Sequence, residues 1–353
     1  MVSERKILVS ACLAMPKKLR IVNIEPRFAV KGGTVEIFPE GLVIEPRQFR
    51  VEFDGVPAQV VAAGSKRILA TLPAHLSGET TVVMVNGAAK SEEYRYTVGR
   101  EYTDALHNVG NPAVDPETGA VWVMRSGTRG YQMESPICRI EGEGDLDELP
   151  VEVLNPSGFA FSQTGRLYTT NRAAGELYHI KNDLEATCVA TGLGIATGIA
   201  AGKDGALYVG DRSGKIYRLE EDGLPETFAT LLPSVAAFHL AFGPDGRLYV
   251  SAPGMTSYDA IYAIDTDGEV ETWLRGFGRP QGLAFSEDGD LYIAAFHAGR
   301  RGVFKVTPEK EITFFAAAAD AVGVCFDRSG RMLIATQHEV FGLEAGIKGI
   351  LLD

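Results

Sequence analysis

Seven arginines between positions 125 and 301 could recognise an anion. They are Arg125, Arg129, Arg172, Arg212, Arg279, Arg300 and Arg301. A guanidinium group presents a planar fork of N–H donors that fits a carboxylate or a phosphate. The whole chain carries a formal charge of −12, so these arginines, if close together, would reverse the charge locally. Alternatively, several of them could pair with Asp211, Asp259 or Glu134 and only fix loops.

A second set of residues could bind a ligand or move a proton. Asp211 and Asn171 offer oxygen atoms, and His239 offers an imidazole, whose ordinary pKa lies near neutrality. Asp211 precedes Ser-Gly, so an Asx turn is the alternative; for His239 the alternative is a core histidine with satisfied hydrogen bonds. His297, in the segment AFHAGRRG, is predicted to lie on a loop. The sequence contains no nucleophile motif, phosphate-binding glycine loop or metal-spaced histidine pair.

An internal repeat predicts the elements that carry these residues. Six segments share a short apolar strand, a tight turn that ends in glycine, and a second strand. They read PAVDPETGAVWV, GFAFSQTGRLYT, GIAAGKDGALYV, HLAFGPDGRLYV, GLAFSEDGDLYI and VGVCFDRSGRML, with turn glycines Gly119, Gly165, Gly205, Gly246, Gly289 and Gly330. A spacing of 40 to 46 residues between these glycines, with strands throughout, is typical of a propeller with four-stranded blades. We therefore predict an all-β chain with a six-bladed β-propeller over residues 101–353.

The strands within the repeats predict how the propeller closes. In the fifth repeat we expect them at residues 282–285, 290–295, 302–307 and 311–316. The sixth repeat has a third strand near residues 339–343 and only residues 347–353 after it. Residues 101–106 resemble a fourth strand, as shown by EYTDALHNVGNPAV beside VETWLRGFGRPQGLAF. We expect residues 101–106 to complete the last blade, because closure pairs an otherwise open sheet edge.

The same repeat predicts two faces of different character. All six glycine turns lie on one face, the glycine-turn face, and the opposite loop-rich face carries the longer loops 125–136, 252–259 and 295–302, where function is usually located. The residues entering the innermost strands should ring the channel mouth on the loop-rich face: Asn111, Ser157, Thr197, His239, Gln281 and Val322. A second ring, at the ends of the second strands, would contain Arg125, Asn171, Asp211, Ala252, Ala295 and Thr336. We expect the polar members of the first ring to form one opening, with Asn171 and Asp211 beside it.

Residues 18–98 lack the repeat and predict a separate β-sandwich in front of the propeller, after an N-terminal extension over residues 1–17. Their short alternating segments are RIVNIEP, GGTVEIFPE, FRVEFDGVPAQVVAAG, RILATLP, TTVVMVNG and EYRYTVG. This order resembles an IPT/TIG domain, which has an immunoglobulin-like fold. The resemblance implies a spacer or an interaction module, with the domain boundary at residues 99–100.

Composition excludes two classes of partner. A net charge of −12 and a pI near 5.1 argue against nucleic acid, which requires a basic face. No apolar run is long enough to cross a bilayer.

The four cysteines are widely spaced and predict buried thiols in a reducing compartment, so we expect a cytoplasmic protein. The alternative is an exported or lipid-anchored protein in which Cys12 is a processed lipoprotein cysteine.

The propeller resembles the gluconolactonase/regucalcin family and its relatives with NHL-type repeats. The segment RPQGLAFSEDGDLYIAA, residues 279–295, is close to the family pattern RPNGLAFSPDG–LYVA. With the IPT/TIG-like segment in front, the chain is similar to bacterial proteins described as gluconolactonase-like. Family lactonases hold a divalent cation at the channel mouth with a Glu, Asn residues and an Asp. The matching positions here, the first ring above, contain no carboxylate, and Asp211 is the only acid nearby, so we expect no metal.

These observations predict a binding propeller rather than an enzyme, with no cofactor. It would recognise a small anionic or polar ligand, or a partner protein, on the loop-rich face. The predicted ligand-binding residues are Asn111, Arg125, Asn171, Arg172, Thr197, Asp211, Arg212, His239, Gln281 and His297. The alternative is a gluconolactonase-like hydrolase of lactones or esters, with Asp211, His239 and Asn171 as catalytic candidates and a divalent cation such as calcium. A further alternative is a structural subunit of a larger complex.

Overall fold

A computed structural model of the chain describes residues 18–103, 110–125, 135–142, 145–220, 224–254 and 258–350. Every regular element in these ranges is a β-strand. Accordingly, the described residues include no helix of the length and apolarity that a membrane crossing requires. The extension 1–17 with Cys12, the arginine Arg129 and the acid Glu134 lie outside the described residues.

The front region consists of two packed sheets. Its strands are β1 (Arg20–Glu25), β2 (Phe28–Ala29), β3 (Thr34–Glu40), β4 (Phe49–Phe53), β5 (Val56–Pro57), β6 (Gln59–Ala63), β7 (Ile68–Thr71), β8 (Gly78–Asn86), β9 (Ala89–Lys90) and β10 (Tyr94–Val98). One sheet has the order β1-β3-β7-β6, and the other includes β2-β10-β8-β4-β5 with β9 beside β8. Along β4, Val51 and Phe53 are buried while Arg50 and Glu52 are not, as the two-residue period of a strand requires. Val51 and Phe53 share one apolar core with Ile37 of the facing sheet.

The rest of the chain forms six four-stranded antiparallel units. The first contains β12 (Ala113–Val114), β13 (Val121–Met124), β14 (Ile137–Glu141) and β15 (Asp145–Leu149), and the second contains β16 (Pro156–Phe161), β17 (Leu167–Asn171), β18 (Glu176–Ile180) and β19 (Ala186–Ala190). The third contains β20 (Ala196–Ala201), β21 (Leu207–Asp211), β22 (Lys215–Leu219) and β23 (Glu226–Thr230). The fourth contains β24 (His239–Phe242), β25 (Leu248–Ser251), β26 (Asp259–Ile264) and β27 (Val270–Phe277). The fifth contains β28 (Leu283–Phe285), β29 (Leu291–His297), β30 (Arg300–Val306) and β31 (Ile312–Ala317).

The sixth unit joins the two ends of this region. It contains β32 (Ala321–Phe326), β33 (Met332–Thr336) and β34 (Val340–Leu343), and its fourth strand is β11 (Arg100–Thr103). Strand β11 pairs antiparallel with β34, with Glu101 opposite Phe341. The predicted pairing is thus confirmed for residues 101–103, whereas residues 104–106 lie outside the described residues.

The innermost strands of the six units lie side by side in a circle around a central channel. Strands β12, β16, β20, β24, β28 and β32 each contact the next, and β32 contacts β12. The six predicted turn glycines all have positive φ, between 75° and 88°, a conformation that a side chain disfavours. Five of the six second strands, β25 among them, are entirely buried, because each unit packs against a neighbour on both faces. Tyr249 of β25, for example, meets Trp273 and Phe285 edge-on, with ring centroids 5.2 and 4.8 Å apart.

One sheet crosses from the front region into the fifth unit, a feature that the sequence analysis did not contain. Strand β2 pairs parallel with the outermost strand β31, with Phe28 opposite Ala316 and Ala29 opposite Ala317. The Val30 amide then donates to the Ala317 carbonyl at 2.9 Å. A Cβ at Gly33 would lie only 2.4 Å from that carbonyl oxygen, so only glycine permits this approach. The two regions therefore share backbone hydrogen bonds as well as the connection at residues 99–100.

Candidate functional site

Register separates the predicted mouth residues into two levels. His239 opposes Ser251 and Leu240 opposes Val250 in the fourth unit, whereas Ile199 opposes Val209 in the third. His239 is therefore in register with Gly198, one residue beyond Thr197. Asn111 is displaced in the same way relative to Ser157. The offset of His239 follows from the residue count: it stands seven residues before its turn glycine, whereas Thr197 stands eight residues before its own. Asn111 is displaced because the turn of the first unit is one residue longer than that of the second.

Three of the predicted mouth residues line the central channel, and each has a different environment. Asn111, Ser157 and His239 border a channel of ≈ 240 Å³, which otherwise has mainly apolar walls. Asn111 is fully engaged: its Nδ2 donates to the Leu283 carbonyl at 3.0 Å, and its Oδ1 accepts from the Val324 amide at 3.1 Å. Its side chain therefore ties the first unit to the fifth and sixth.

His239 is a buried, neutral imidazole. Only 4% of the residue is exposed, and its Nε2 has no hydrogen-bond partner among the described residues. Burial lowers the pKa of His239 to about 4, so the ring carries no charge near neutral pH. An uncharged ring without an ion-pair partner does not suit anion recognition.

The remaining members of the first ring are not ligand groups around the channel. Thr197 is buried, donates from Oγ1 to the Gly210 carbonyl at 3.2 Å and accepts from the Phe238 amide at 3.0 Å. Gln281 lies in a different cavity, between the fifth and sixth units. The expected single polar opening is therefore divided between the channel and that second cavity.

Asn171 and Asp211 occupy equivalent Asx turns after the second strands of the second and third units. Asn171 Oδ1 accepts from the Ala173 amide at 2.9 Å, while Nδ2 donates to Glu176 at 2.9 Å. Asp211 Oδ1 accepts from the amides of Ile195 and Ser213 at 2.8 and 3.1 Å, and Oδ2 accepts from the Ser213 hydroxyl. Both side chains thus shape loops, which is the structural alternative that the sequence analysis left open.

Three of the seven arginines are held by acids or carbonyls. Arg125 forms an ion pair with Glu148 at 2.7 Å. Arg212 donates from Nη2 to the Val235 carbonyl at 2.5 Å. Arg300 donates to Glu36 of the front region at 2.7 Å. Of these three guanidinium groups, two therefore already have a carboxylate partner.

Arg172 lies near Arg212 in a partly buried setting. Burial lowers the pKa of the Arg172 guanidinium, and the neighbouring positive charge of Arg212 lowers it further. His297 does not extend towards either residue. Its Nδ1 contacts the Gly276 carbonyl at 2.8 Å, and its ring packs 5.2 Å from that of Phe277. Its contacts are therefore with the fourth and fifth units.

Arg279 and Arg301 differ from the others because both line the cavity between the fifth and sixth units. This cavity, the inter-unit cleft, has a volume of ≈ 490 Å³ and is lined by Gly278, Arg279, Gln281, Ala295, Phe296, Arg301, Gly302, Ala318, Ala319, Asp320, Ala321 and Gln337. Neither arginine forms an ion pair with a carboxylate of the described residues. The guanidinium of Arg301 stacks on Phe296, 5.9 Å from the ring centroid.

The backbone at Arg279 is held in an uncommon conformation. Its φ is 47°, which is the left-handed region that a non-glycine residue rarely adopts. The Arg279 amide donates to Asp259 Oδ2 at 3.3 Å. Strained residues that are held in this way are frequent at binding sites.

Sequence reasoning missed three side chains of the cleft: Phe296, Asp320 and Gln337. Burial raises the pKa of Asp320, the nearby Glu339 raises it further, and the positive charges of His338 and Arg301 oppose the shift. Alignment could have found Asp320, because it stands three residues before Gly323, as Arg279 does before Gly282. Phe296 lies near the end of the second strand β29 and Gln337 directly follows the second strand β33, where the strands and loops differ in length and alignment carries little information.

The residues present do not fit the divalent cation of the family lactonases. No cluster of three or more His, Cys, Asp or Glu side chains suited to a metal occurs within the described ranges. Asp211, the nearest acid to the mouth, already accepts three hydrogen bonds from Ile195 and Ser213. Hard cations require several oxygen ligands, normally including free carboxylates.

Comparison with known proteins agrees with the architecture. The N-terminal strictosidine synthase-like family model matches residues 198–219. A gluconolactonase of Zymomonas mobilis is 29% identical over 215 residues, or 51% of this chain and 58% of that protein. A pentonolactonase of Haloferax volcanii is 26% identical over 129 residues, or 36% of this chain and 44% of that protein. The chain thus spans about half the length of the curated relatives that it matches.

Solved structures extend the comparison to the fold. A candidate gluconolactonase superimposes with a TM-score of 0.59 at 20% identity and covers 72% of this chain and 93% of its own. An auxiliary nutrient binding protein from Bacteroides ovatus has a TM-score of 0.55 at 14% identity and covers 95% of this chain and 99% of its own. Over about half of its length the chain is similar in sequence to a gluconolactonase, and its fold is similar to these propeller structures. The second structure also matches the front region of the chain, since it covers 95% of the whole chain.

Proposed function

We propose that this protein binds a small polar anion in the inter-unit cleft on the loop-rich face. The observation that carries the proposal is that Arg279 and Arg301 line one cavity and neither has a carboxylate partner among the described residues. On a chain of net charge −12, two guanidinium groups without an ion pair to a described carboxylate, in one concave site, favour a carboxylate or a phosphate.

The other walls of the cleft favour an anion that also carries hydroxyl groups. Phe296 offers a flat apolar surface, and Gln281, Gln337 and Asp320 are the other polar residues around the same space. Small-molecule sites typically combine such apolar walls with a few polar groups that fix orientation. A sugar acid satisfies each requirement: a carboxylate for the arginines, hydroxyls for the amides, and a C–H face for Phe296.

Sodium gluconate is a suitable probe, with glucitol as its neutral counterpart. Isothermal titration of the full chain should show gluconate binding and much weaker glucitol binding. Arg301→Gln and Arg279→Gln should each weaken gluconate at least about tenfold, since a charge-assisted hydrogen bond contributes about 1.5–3 kcal/mol. The matched control is Arg275→Gln, which removes an exposed arginine outside the cleft. Equal binding of gluconate and glucitol, or equal effects of the three substitutions, would refute the proposal.

The second candidate function is lactone hydrolysis, which the similarity to the Zymomonas and Haloferax lactonases favours. The test is hydrolysis of glucono-1,5-lactone above its spontaneous rate, with and without a chelator and with added calcium. Hydrolysis that a chelator abolishes would replace the binding proposal with the enzyme. If the rate of hydrolysis with the protein equals the spontaneous rate under all three conditions, binding remains the proposed function.

Two structural proposals accompany the function. We propose that the six units are the blades of a closed six-bladed β-propeller, supported by the circular contacts of the innermost strands and by the β11–β34 pairing. We also propose that the front region, as a separate domain, has the immunoglobulin-like fold of an IPT/TIG domain, supported by its two packed sheets. An experimental structure with a different number of units, or with one sheet in the front region, would contradict these proposals.

We further propose a cytoplasmic location. The three cysteines within the described ranges, Cys138, Cys188 and Cys325, are free thiols, which suits a reducing compartment. Fractionation of the native cells tests this proposal. Recovery with the membrane or the exported fraction would favour the lipoprotein alternative at Cys12.

A further inference from the structure

Large apolar side chains are exposed on the loop-rich face beside the cleft. Six of them are more than a third exposed: Leu154, Ile195, Leu232, Val235, Tyr258 and Phe296. Five of them lie in connections that enter innermost strands or that follow second strands, and Phe296 lies near the end of the second strand β29, so all six share one face. Leu232 is 75% exposed and Tyr258 is 63% exposed, and such exposure of large apolar groups on one face marks an interaction surface. We call these six residues the apolar band.

The first half of the apolar band follows neighbouring connections from the second unit to the fourth. The Arg172 amide bonds the carbonyl of Asn155, the residue that follows Leu154. The Arg212 amide bonds the Ile195 carbonyl at 3.2 Å, and its guanidinium bonds the Val235 carbonyl at 2.5 Å. The Val235 amide in turn bonds the Pro253 carbonyl at 3.0 Å. Arg212 thus joins two exposed apolar residues of neighbouring units.

The second half continues from the fourth unit to the fifth. The rings of Tyr258 and His297 both lie beside Gly276, and His297 Nδ1 contacts the Gly276 carbonyl. Phe296 precedes His297 and carries the guanidinium of Arg301 over its ring. Arg212 therefore lies within the apolar band, and Arg301 lies at its Phe296 end.

We propose that the apolar band is the docking surface for a partner protein segment that combines large apolar side chains with Asp or Glu. Charge decides the partner: neither Arg212 nor Arg301 forms an ion pair with a described carboxylate, whereas acids outnumber basic residues in the chain as a whole. Exposed tyrosine, phenylalanine and leucine interspersed with arginine also correspond to the composition of protein interfaces, where Tyr and Arg dominate the energy. The proposal does not require the cleft to bind a ligand.

Selection from a random peptide library on the full chain tests the proposal, with the Leu232→Ser chain as counter-target. Leu232 is chosen because it does not line the cleft. The enriched peptides are expected to contain Asp or Glu among large apolar residues, and their affinity should fall with added salt. In fluorescence anisotropy, Leu232→Ser should weaken the best peptide about tenfold or more, the loss typical of a central interface residue.

The matched control is Leu224→Ser, which changes a leucine that is 87% exposed in the β22–β23 connection on the opposite face. Its affinity for the peptide should equal that of the wild type. Failure to enrich peptides, enrichment of basic peptides, or equal binding by both serine variants would overturn the proposal. So would self-association in sedimentation, or flotation with anionic lipid vesicles, that Leu232→Ser abolishes, because the surface would then serve a second copy or a membrane. Gluconate titration of the Leu232→Ser chain tests the cleft proposal independently of the docking surface, because Leu232 does not line the cleft.

Discussion

The two faces of the propeller differ in how many of their polar side chains have ion-pair or hydrogen-bond partners. On the glycine-turn face, an aspartate of the turn binds an arginine of its own unit: Asp204 with Arg218, Asp245 with Arg247, and Asp327 with Arg331. On the loop-rich face, Arg279 and Arg301 have no carboxylate partner among the described residues. Six buried side-chain atoms of the described residues lack hydrogen bonds, and four of the six belong to residues of this face: Arg125, Asn155, Arg212 and His239. Polar groups left unpaired reduce stability, so their concentration on one face is what a binding surface requires.

The largest effect that would test this comparison concerns His239. Its folded-state pKa is lowered to about 4 from 6.5 by burial, so the unfolded chain binds the proton more readily and stability should fall as the pH drops from 6.5 to 4. The loss attributable to this residue is up to about 3 kcal/mol. Urea denaturation at pH 7 and pH 4.5 should show that His239→Leu removes this part of the acid sensitivity. If exposed His338→Gln changes the pH dependence equally, the assignment to His239 is wrong.

A smaller effect is expected for Asp327 on the glycine-turn face. Burial alone would raise its pKa, but hydrogen bonds from Ser329, the Arg331 amide and the Arg331 guanidinium outweigh burial and lower it. The stabilising contribution is therefore present above the unfolded pKa and is lost as the pH falls through the folded pKa. Asp327→Asn should lower the free energy of unfolding by about 2 kcal/mol at pH 7 and by much less at pH 3. The same deficit at both pH values would show that charge is not the cause.

The smallest effect on stability is expected where function is proposed. Arg279→Gln and Arg301→Gln should change the free energy of unfolding by less than about 0.5 kcal/mol, because neither side chain has an ionic partner to lose in the part of the chain that the structure describes. Their thermal transitions, measured without ligand, should match that of the wild type. Destabilisation comparable to that of Asp327→Asn would mean that these arginines support the fold, and the difference between the faces would disappear.

Repetition explains which features the sequence could predict. The turn glycines, the bounds of strands such as β28 (Leu283–Phe285), and the pairing of β11 follow from local turn chemistry and from counting strands. The side chains were less predictable. Whether Asp211 faces a ligand or the Ile195 amide depends on the path of a loop, which the repeat pattern does not specify. The cleft itself requires two neighbouring units, so no single repeat contains its pattern.

The parallel pairing of β2 with β31 also concerns the order in which the protein is made. The partner of Phe28 is Ala316, which leaves the ribosome about 290 residues later. At ~5–20 residues per second, the front region waits ~15–60 s for the strand that completes its sheet. During that interval the edge of β2 and the core residues that will pack on Ala317 are open to other chains. Completion of the N-terminal part of this protein is therefore one of the last events of its synthesis.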